Sequence, residues 1–274
     1  MRLAGVGKRY GRGGPWVVRG VELTVRPGAL VRIEGANGCG KSTLLKLLAG
    51  IERPAEGRVE VTGSRAWVPE RFPAALPFDV LGYLRQHGRV RGLSAAETDR
   101  RSRAWLERFG IAERAGTPIG RLSKGTAQKV AVAQALLAEP EVLLLDEAWT
   151  GLDQAARGEL DEAVAERAAA GGVVFFVDHD PGRLAGLVDA AYAVADGRLR
   201  AAALPDADRH GPRTVVVVEA AELPQWLPGG PERKPLADGA IRLDVAAAHS
   251  DALLRRLLAV PAVHVRSVRA EEGS

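Results

Sequence analysis

Eight consecutive residues, Gly35-Ala36-Asn37-Gly38-Cys39-Gly40-Lys41-Ser42, constrain this 274-residue chain more than any other feature. Two glycines bracket four residues before Lys and Ser. An apolar run, Leu30 to Ile33, precedes them, and a leucine-rich helical pattern from Lys41 to about Ala49 follows. Strand, glycine-rich loop, helix is the order in which backbone N–H groups curl around a phosphate while the helix N-terminus adds its partial positive charge. In such a loop Lys41 is placed to reach the β- and γ-phosphates of a nucleotide, and Ser42 to ligate Mg²⁺.

The flanking sequence says what kind of sheet carries the loop. Upstream, Trp16 to Val18 and the alternating Val21 to Val25 read as strands before a Pro27-Gly28 turn. Downstream, the pattern runs strand (Val142 to Leu145), helix (about Gln154 to Ala169), strand (Val173 to Val177), helix (Pro181 to Leu187) and strand (Ala191 to Ala195). Buried-type strands alternating with helices predict an α/β fold with a mostly parallel sheet. Between the two regions lies a helical insert from about Phe72 to Gly120. Ser94-Ala95-Ala96-Glu97 fits a capping box there, and Trp105, Leu106 and Phe109 fall at helical spacing, predicting a helix over about 95–109. Arginines are frequent from Arg85 to Arg121 and are expected to coat its wet face. After Arg200 an Ala-Pro-Asp-rich linker leads to strand, strand, helix and strand at about 214–219, 240–245, 250–258 and 263–268, with a Pro/Gly-rich loop over 224–239. A unit this small is marginal alone, so it is expected to lean on the main domain or on a second copy.

Composition narrows the class further. The chain is 46% hydrophobic and 26% charged, with 38 basic against 34 acidic residues, as soluble globular proteins are. No apolar stretch has the roughly 18 to 20 residues of a membrane span, and Met1 to Tyr10 lacks the apolar core of a signal peptide. A cytoplasmic location is the expectation. A single cysteine, Cys39, excludes an internal disulfide framework and a cysteine-built zinc site.

Two more segments carry chemistry. Val142 to Leu145 ends in Asp146-Glu147, two acids at the strand edge where open α/β sheets bind ligands. Asp146 suits the Mg²⁺ shell and Glu147 the polarisation of an attacking water. Leu122-Ser123-Lys124-Gly125-Thr126-Ala127-Gln128-Lys129 begins a helix running to about Ala138. That segment resembles the Leu-Ser-Gly-Gly-Gln signature of ATP-binding cassette (ABC) ATPases, and its order with the two nucleotide motifs is that family's order.

The resemblance covers about Arg2 to Arg200 and implies a P-loop NTPase cassette: a mostly parallel core sheet, an antiparallel β subdomain and a helical subdomain at about 72–138. It implies a cassette domain over 1–200 and does not cover the tail, whose composition and pattern read as a linker at 201–213 and a small α+β appendage at 214–274. The nucleotide contacts it implies are Gly35, Ala36, Asn37, Gly38, Cys39, Gly40, Lys41, Ser42 and Thr43, with Tyr10 as the aromatic that stacks on adenine. Ser123 and Gly125 would meet phosphate from a second subunit, and Gly151-Leu152-Asp153 is similar to the dimer-contacting loop. His179 matches the switch histidine, so Lys41, Glu147 and His179 form the expected catalytic set, with Ser42, Asp146 and Glu70 as metal ligands. A tyrosine at position 10 also suits a packed core aromatic. The remaining histidines, His87, His210, His249 and His264, show no ligand spacing.

Three departures from the family pattern stand out. Glu70 occupies the usual position of a glutamine, Lys124 that of a glycine and Thr126 that of the signature glutamine. ATP and Mg²⁺ are the implied cofactors. The implied activity is ATP hydrolysis in a head-to-tail dimer of identical or sister cassettes, driving a separate transmembrane permease from the inner face of the membrane without touching the cargo. The tail is similar to those on some bacterial drug and lipid exporter subunits, which points to export. The alternative is a soluble cassette ATPase acting on nucleic acid or the ribosome, suggested by the arginine-rich insert; nucleic acid is not the expected partner. A guanine-reading Asn-Lys-x-Asp motif is excluded, since Asn37 is the only asparagine.

Overall fold

Three strands whose residues are almost all buried lie side by side at the centre of this computed structural model, which describes every residue except 12, 74–75, 205–212, 221–222, 225–226, 228–230, 248–249 and 272–274. The chain divides into two compact units, Met1–His179 with Asp189–Ala203, and Asp180–Val188 with Leu204–Ser274.

In the first unit, β1 (Arg2–Arg9) and β2 (Trp16–Thr24) pair antiparallel, and β4 (Glu56–Glu60) joins the other side of β1, giving the order β2-β1-β4. Between them in the chain come β3 (Leu30–Glu34) and α1 (Lys41–Ala49). After β5 (Arg65–Val68) the chain forms the helical insert: α2 (Val80–Val90), α3 (Ala95–Arg108) and α4 (Lys124–Leu136). It returns through β6 (Val142–Asp146), α5 (Gln154–Ala169), β7 (Val173–Val177), β8 (Ala190–Ala195) and β9 (Arg198–Ala202). The large sheet has the order β5-β6-β7-β3-β8-β9, parallel except for the final β8–β9 pair.

The register brings Val31 of β3 beside Phe175 of β7, and Phe175 beside Leu144 of β6, all without solvent exposure. Each such side chain contributes about 1.5 to 3 kcal/mol on burial, so this seam anchors the sheet. Because β3, β5, β6 and β7 run parallel, their C-terminal ends open on one edge. The loops carrying Lys41, Glu70, Glu147 and His179 therefore emerge together.

The insert is less solvated than its composition suggests. Leu106 and Phe109 are buried as the helical spacing requires. Ser94 caps α3 by accepting from the Glu97 N–H at 3.2 Å, but the Glu97 carboxylate completes no capping box; Arg100 and Arg101 take it instead. The arginines also do more than coat a wet face. Arg85 forks onto Asp99, and Arg108 reaches Glu159, Glu162 and Glu166 along α5 at 2.9, 3.7 and 2.8 Å. They fasten the insert to itself and to the core.

The second unit holds a four-stranded antiparallel sheet of β10 (Arg213–Ala220), β11 (Glu232–Pro235), β12 (Ile241–Ala246) and β13 (Val263–Glu271), ordered β11-β12-β10-β13, with α6 (Ser250–Leu258) between the last two in the chain. Val216, Val218, Leu243, Val245, Leu253 and Leu257 form its core. Two expectations are corrected here. The segment read as a loop over 224–239 contains β11, a fully exposed edge strand whose charged residues and Pro235 hide its type. The helix expected over 181–187 is only a 3-10 turn at Ala185–Leu187, because Leu184 takes a left-handed φ of 55° that helical continuation forbids. Most of the expected linker, 205–212, lies outside the described residues, while β9 occupies 201–202.

Candidate functional site

Four of the helices bring their own N-terminal caps. Asp79 caps α2, Ser94 α3, Ser123 α4 and Asp153 α5, each accepting a first-turn N–H. At α1 the cap position is Gly40, which has no side chain to offer, and the first turn holds no acid. Its N–H groups are left for an external anion. Gly40 is obligatory twice over: its φ is 111°, and a Cβ there would stand 3.0 Å from the Val17 carbonyl oxygen.

Around this helix end lies a cavity of about 340 Å³. Asn37, Gly38, Gly40, Lys41, Ser42 and Thr43 form one wall; Glu70, Glu147 and His179 face them, and Val17 of β2 closes a side. The Lys41 ammonium donates to the carbonyls of Gly35 and Ala36 at 2.7 and 3.0 Å, so it is held over the loop rather than in solvent. Cys39 turns the other way and packs against the core beside the loop.

The acidic side of the cavity is electrostatically crowded. The Ser42 hydroxyl donates to Asp146 Oδ1 at 3.1 Å. Burial pushes the Asp146 carboxyl above its ordinary range; the Ser42 hydroxyl opposes that rise, and the nearby Glu147 and Glu70 charges add to it. A cation beside Ser42 and Asp146 would relieve the repulsion. Among the described residues no cluster of three or more His, Cys, Asp or Glu forms a protein-only metal cage. That donor set suits Mg²⁺, which takes one or two protein ligands and fills its octahedron with phosphate and water. Glu147 Oε1 stands 3.0 Å from His179 Nε2. The Glu147 backbone is left-handed, φ 52°, and its N–H donates to the Val177 carbonyl at 3.0 Å. A non-glycine residue held there is strained, and such strain persists only where the surroundings over-determine it.

A second group of expected residues gathers apart from the cavity wall. Ser123 is exposed at the start of α4, its Oγ accepting from the Thr126 N–H at 3.2 Å and lying 2.9 Å from Thr126 Oγ1. A Cβ on Gly125 would come 2.6 Å from the Gly151 carbonyl oxygen, so only glycine lets the first turn of α4 approach Gly151 this closely. Asp153 meets Lys129 at 2.7 Å, which with the α5 cap holds its carboxyl below the usual range. Tyr10 belongs to neither group. Its ring is half exposed, with the Lys8 ammonium 5.0 Å from the centroid, so it is not a packed core aromatic. His87 packs 4.4 Å from the Tyr83 ring and His264 sits on β13, whereas His210 and His249 lie outside the described residues.

Comparison with known proteins identifies the family. A family model described as ABC transporter matches residues 18–150. An aliphatic sulfonates import ATP-binding protein, SsuB 2 of Pseudomonas aeruginosa, is 34% identical over 203 residues, covering 73% of each chain. The chain belongs to the ABC transporter family. It is also 32% identical to the macrolide export ATP-binding/permease protein MacB 1/2 of Paracoccus denitrificans, across 73% of this chain but only 32% of that relative's length. A solved ATP-binding subunit of an ABC transporter superposes with a TM-score of 0.69 at 28% identity, over 76% of this chain and 91% of that one.

As a cassette of this family it is an ATPase whose cofactors are ATP and Mg²⁺, and the fold is the P-loop α/β cassette. Several residues that complete the site carry no motif. Val17 is one apolar residue in an ordinary strand pattern. Gln128 is 4% exposed and Lys129 pins Asp153, yet both read as routine helix positions.

Proposed function

We propose that this chain is the cassette subunit of a transporter, closing head to tail with a second cassette on two ATP molecules and passing that motion to a separate membrane-spanning permease. The observation that carries the reading is the division of the expected ATP contacts into two groups. Lys41, Ser42, Glu147 and His179 surround one cavity, while Ser123 and Gly125 are absent from its wall. A nucleotide on α1 then has one face free for the signature end of another subunit.

In this reading Lys41, the loop N–H groups and Thr43 grip the triphosphate, and Ser42, Asp146 and Glu70 would hold Mg²⁺, which would supply charge neutralisation at the phosphates. Glu147 orients the attacking water and His179 steadies charge at the γ-phosphate. Closure excludes solvent and strengthens each of these contacts. Likeness to a separate ATP-binding protein, SsuB 2, supports placing the permease on other chains and this subunit at the membrane's inner face. Export is the proposed direction on the strength of the C-terminal strand-helix unit, since the relatives include an importer and an exporter. The nucleic-acid reading loses its motivation because Arg85, Arg100, Arg101 and Arg108 are engaged by acids within the chain.

Sedimentation of the Glu147→Gln variant with ATP and Mg²⁺ tests the reading. An ATP-dependent dimer that Ser123→Arg abolishes is the expected result. A monomer that binds ATP with full affinity and hydrolyses it at a concentration-independent rate would overturn it.

A further inference from the structure

Gln128 lies five residues beyond Ser123 on α4, and its buried amide spans two other segments of the site. Nε2 donates to the carbonyl of Pro69 at 3.3 Å and to the carbonyl of Ala148 at 3.3 Å. Pro69 is the residue before Glu70, and Ala148 is the residue after Glu147. One side chain thus fastens the Pro69–Glu70 peptide and the Ala148–Trp149 peptide, the second one residue beyond Glu147. A carboxamide has two N–H donors, and with both partners being carbonyls its orientation is fixed. No other uncharged side chain of similar size supplies two donors from one atom.

The contact matters because of what it holds. Glu147 occupies a strained left-handed conformation, with its own N–H tied to Val177 of β7. Gln128, on a helix of the insert, secures the carbonyl of Ala148, the next residue along. Both bonds are at the long end of the normal range, so a small displacement of α4 would break them. We propose that Gln128 is a positioning residue for hydrolysis, its amide holding the Glu70 and Glu147 backbones in register with α4 so that the water-orienting acid is aligned only when the signature helix is docked. This rests on the reading of Glu147 given above.

A double-mutant cycle in the full chain tests it. Gln128→Met keeps volume and removes both donors. It should lower kcat at least about tenfold while leaving the ATP dissociation constant within about threefold of the parent. Combined with Glu147→Gln, it should change the residual single-turnover rate by less than twofold, since the residue it positions is already disabled. An unchanged kcat for Gln128→Met, or a tenfold loss that repeats in the Glu147→Gln background, would overturn the inference. Undiminished hydrolysis by Glu147→Gln alone would instead remove the reading beneath it. If Gln128→Met does not fold, Gln128→Asn retains the amide but shortens its reach, and the same pair of outcomes applies.

Discussion

The two halves of the proposed nucleotide clamp are built by opposite means. On the phosphate-loop side the chain leaves charges in need of a ligand: α1 has no cap of its own, and Glu147 and Glu70 on the cavity wall add their charge to that of the buried Asp146. On the signature side those needs are met internally. Ser123 caps its own helix, Asp153 caps α5 and holds Lys129, and Gly125 rests on Gly151. The first half is poised to bind by itself; the second presents a finished, rigid surface that a ligand already in place can meet. The asymmetry predicts that lesions on the first side abolish binding or chemistry, whereas lesions on the second spare ATP binding and act through closure.

The largest effect should come from Lys41→Ala, which removes the ammonium held over the loop. ATP affinity should fall by at least about two orders of magnitude, the scale of a lost buried charge-assisted contact, in a calorimetric titration. Next, Glu147→Gln should reduce turnover about 10²-fold or more with ATP affinity preserved, as steady-state assays beside the titration would show. Ser123→Arg should cut hydrolysis comparably yet leave monomer ATP affinity within about threefold; an equal loss of affinity would erase the distinction between the halves. Asp153→Ala should cost about 0.5 to 2 kcal/mol of stability through its lost cap, read in chemical denaturation, with hydrolysis less affected than by Ser123→Arg. The smallest effect belongs to Lys124→Gly. Lys124 is exposed at the positive end of α4, so its loss should change stability by under about 1 kcal/mol, and any change in hydrolysis should appear only above the dimer's dissociation concentration.

How far the sequence alone could be read follows the same physics. The strands β6 and β7 and the helix α5 were legible because each buries a continuous or strictly periodic set of apolar residues, and the phosphate loop because its glycines and lysine admit few other uses. β1 was not, since Arg2–Arg9 contains two glycines and three basic residues and becomes a strand only through β2 and β4 on its two sides. β11 was hidden for a like reason. Leu184 escaped because its left-handed backbone is imposed by surroundings distant in sequence. Within the site, motif residues were found and their supports were not: Val17 and Gln128 act by where folding sends them.

The division of the chain after His179 bears on how this protein can be dissected. The backbone leaves the first unit at Asp180, spends nine residues in the second, and returns at Asp189 before its final departure after Ala203. The tail is therefore no detachable tag. Clipping the gene at codon 203 would strip residues 180–188, which follow His179 directly in the chain, of the rest of the unit they belong to, so a shortened chain reports on a disturbed segment as much as on a missing appendage.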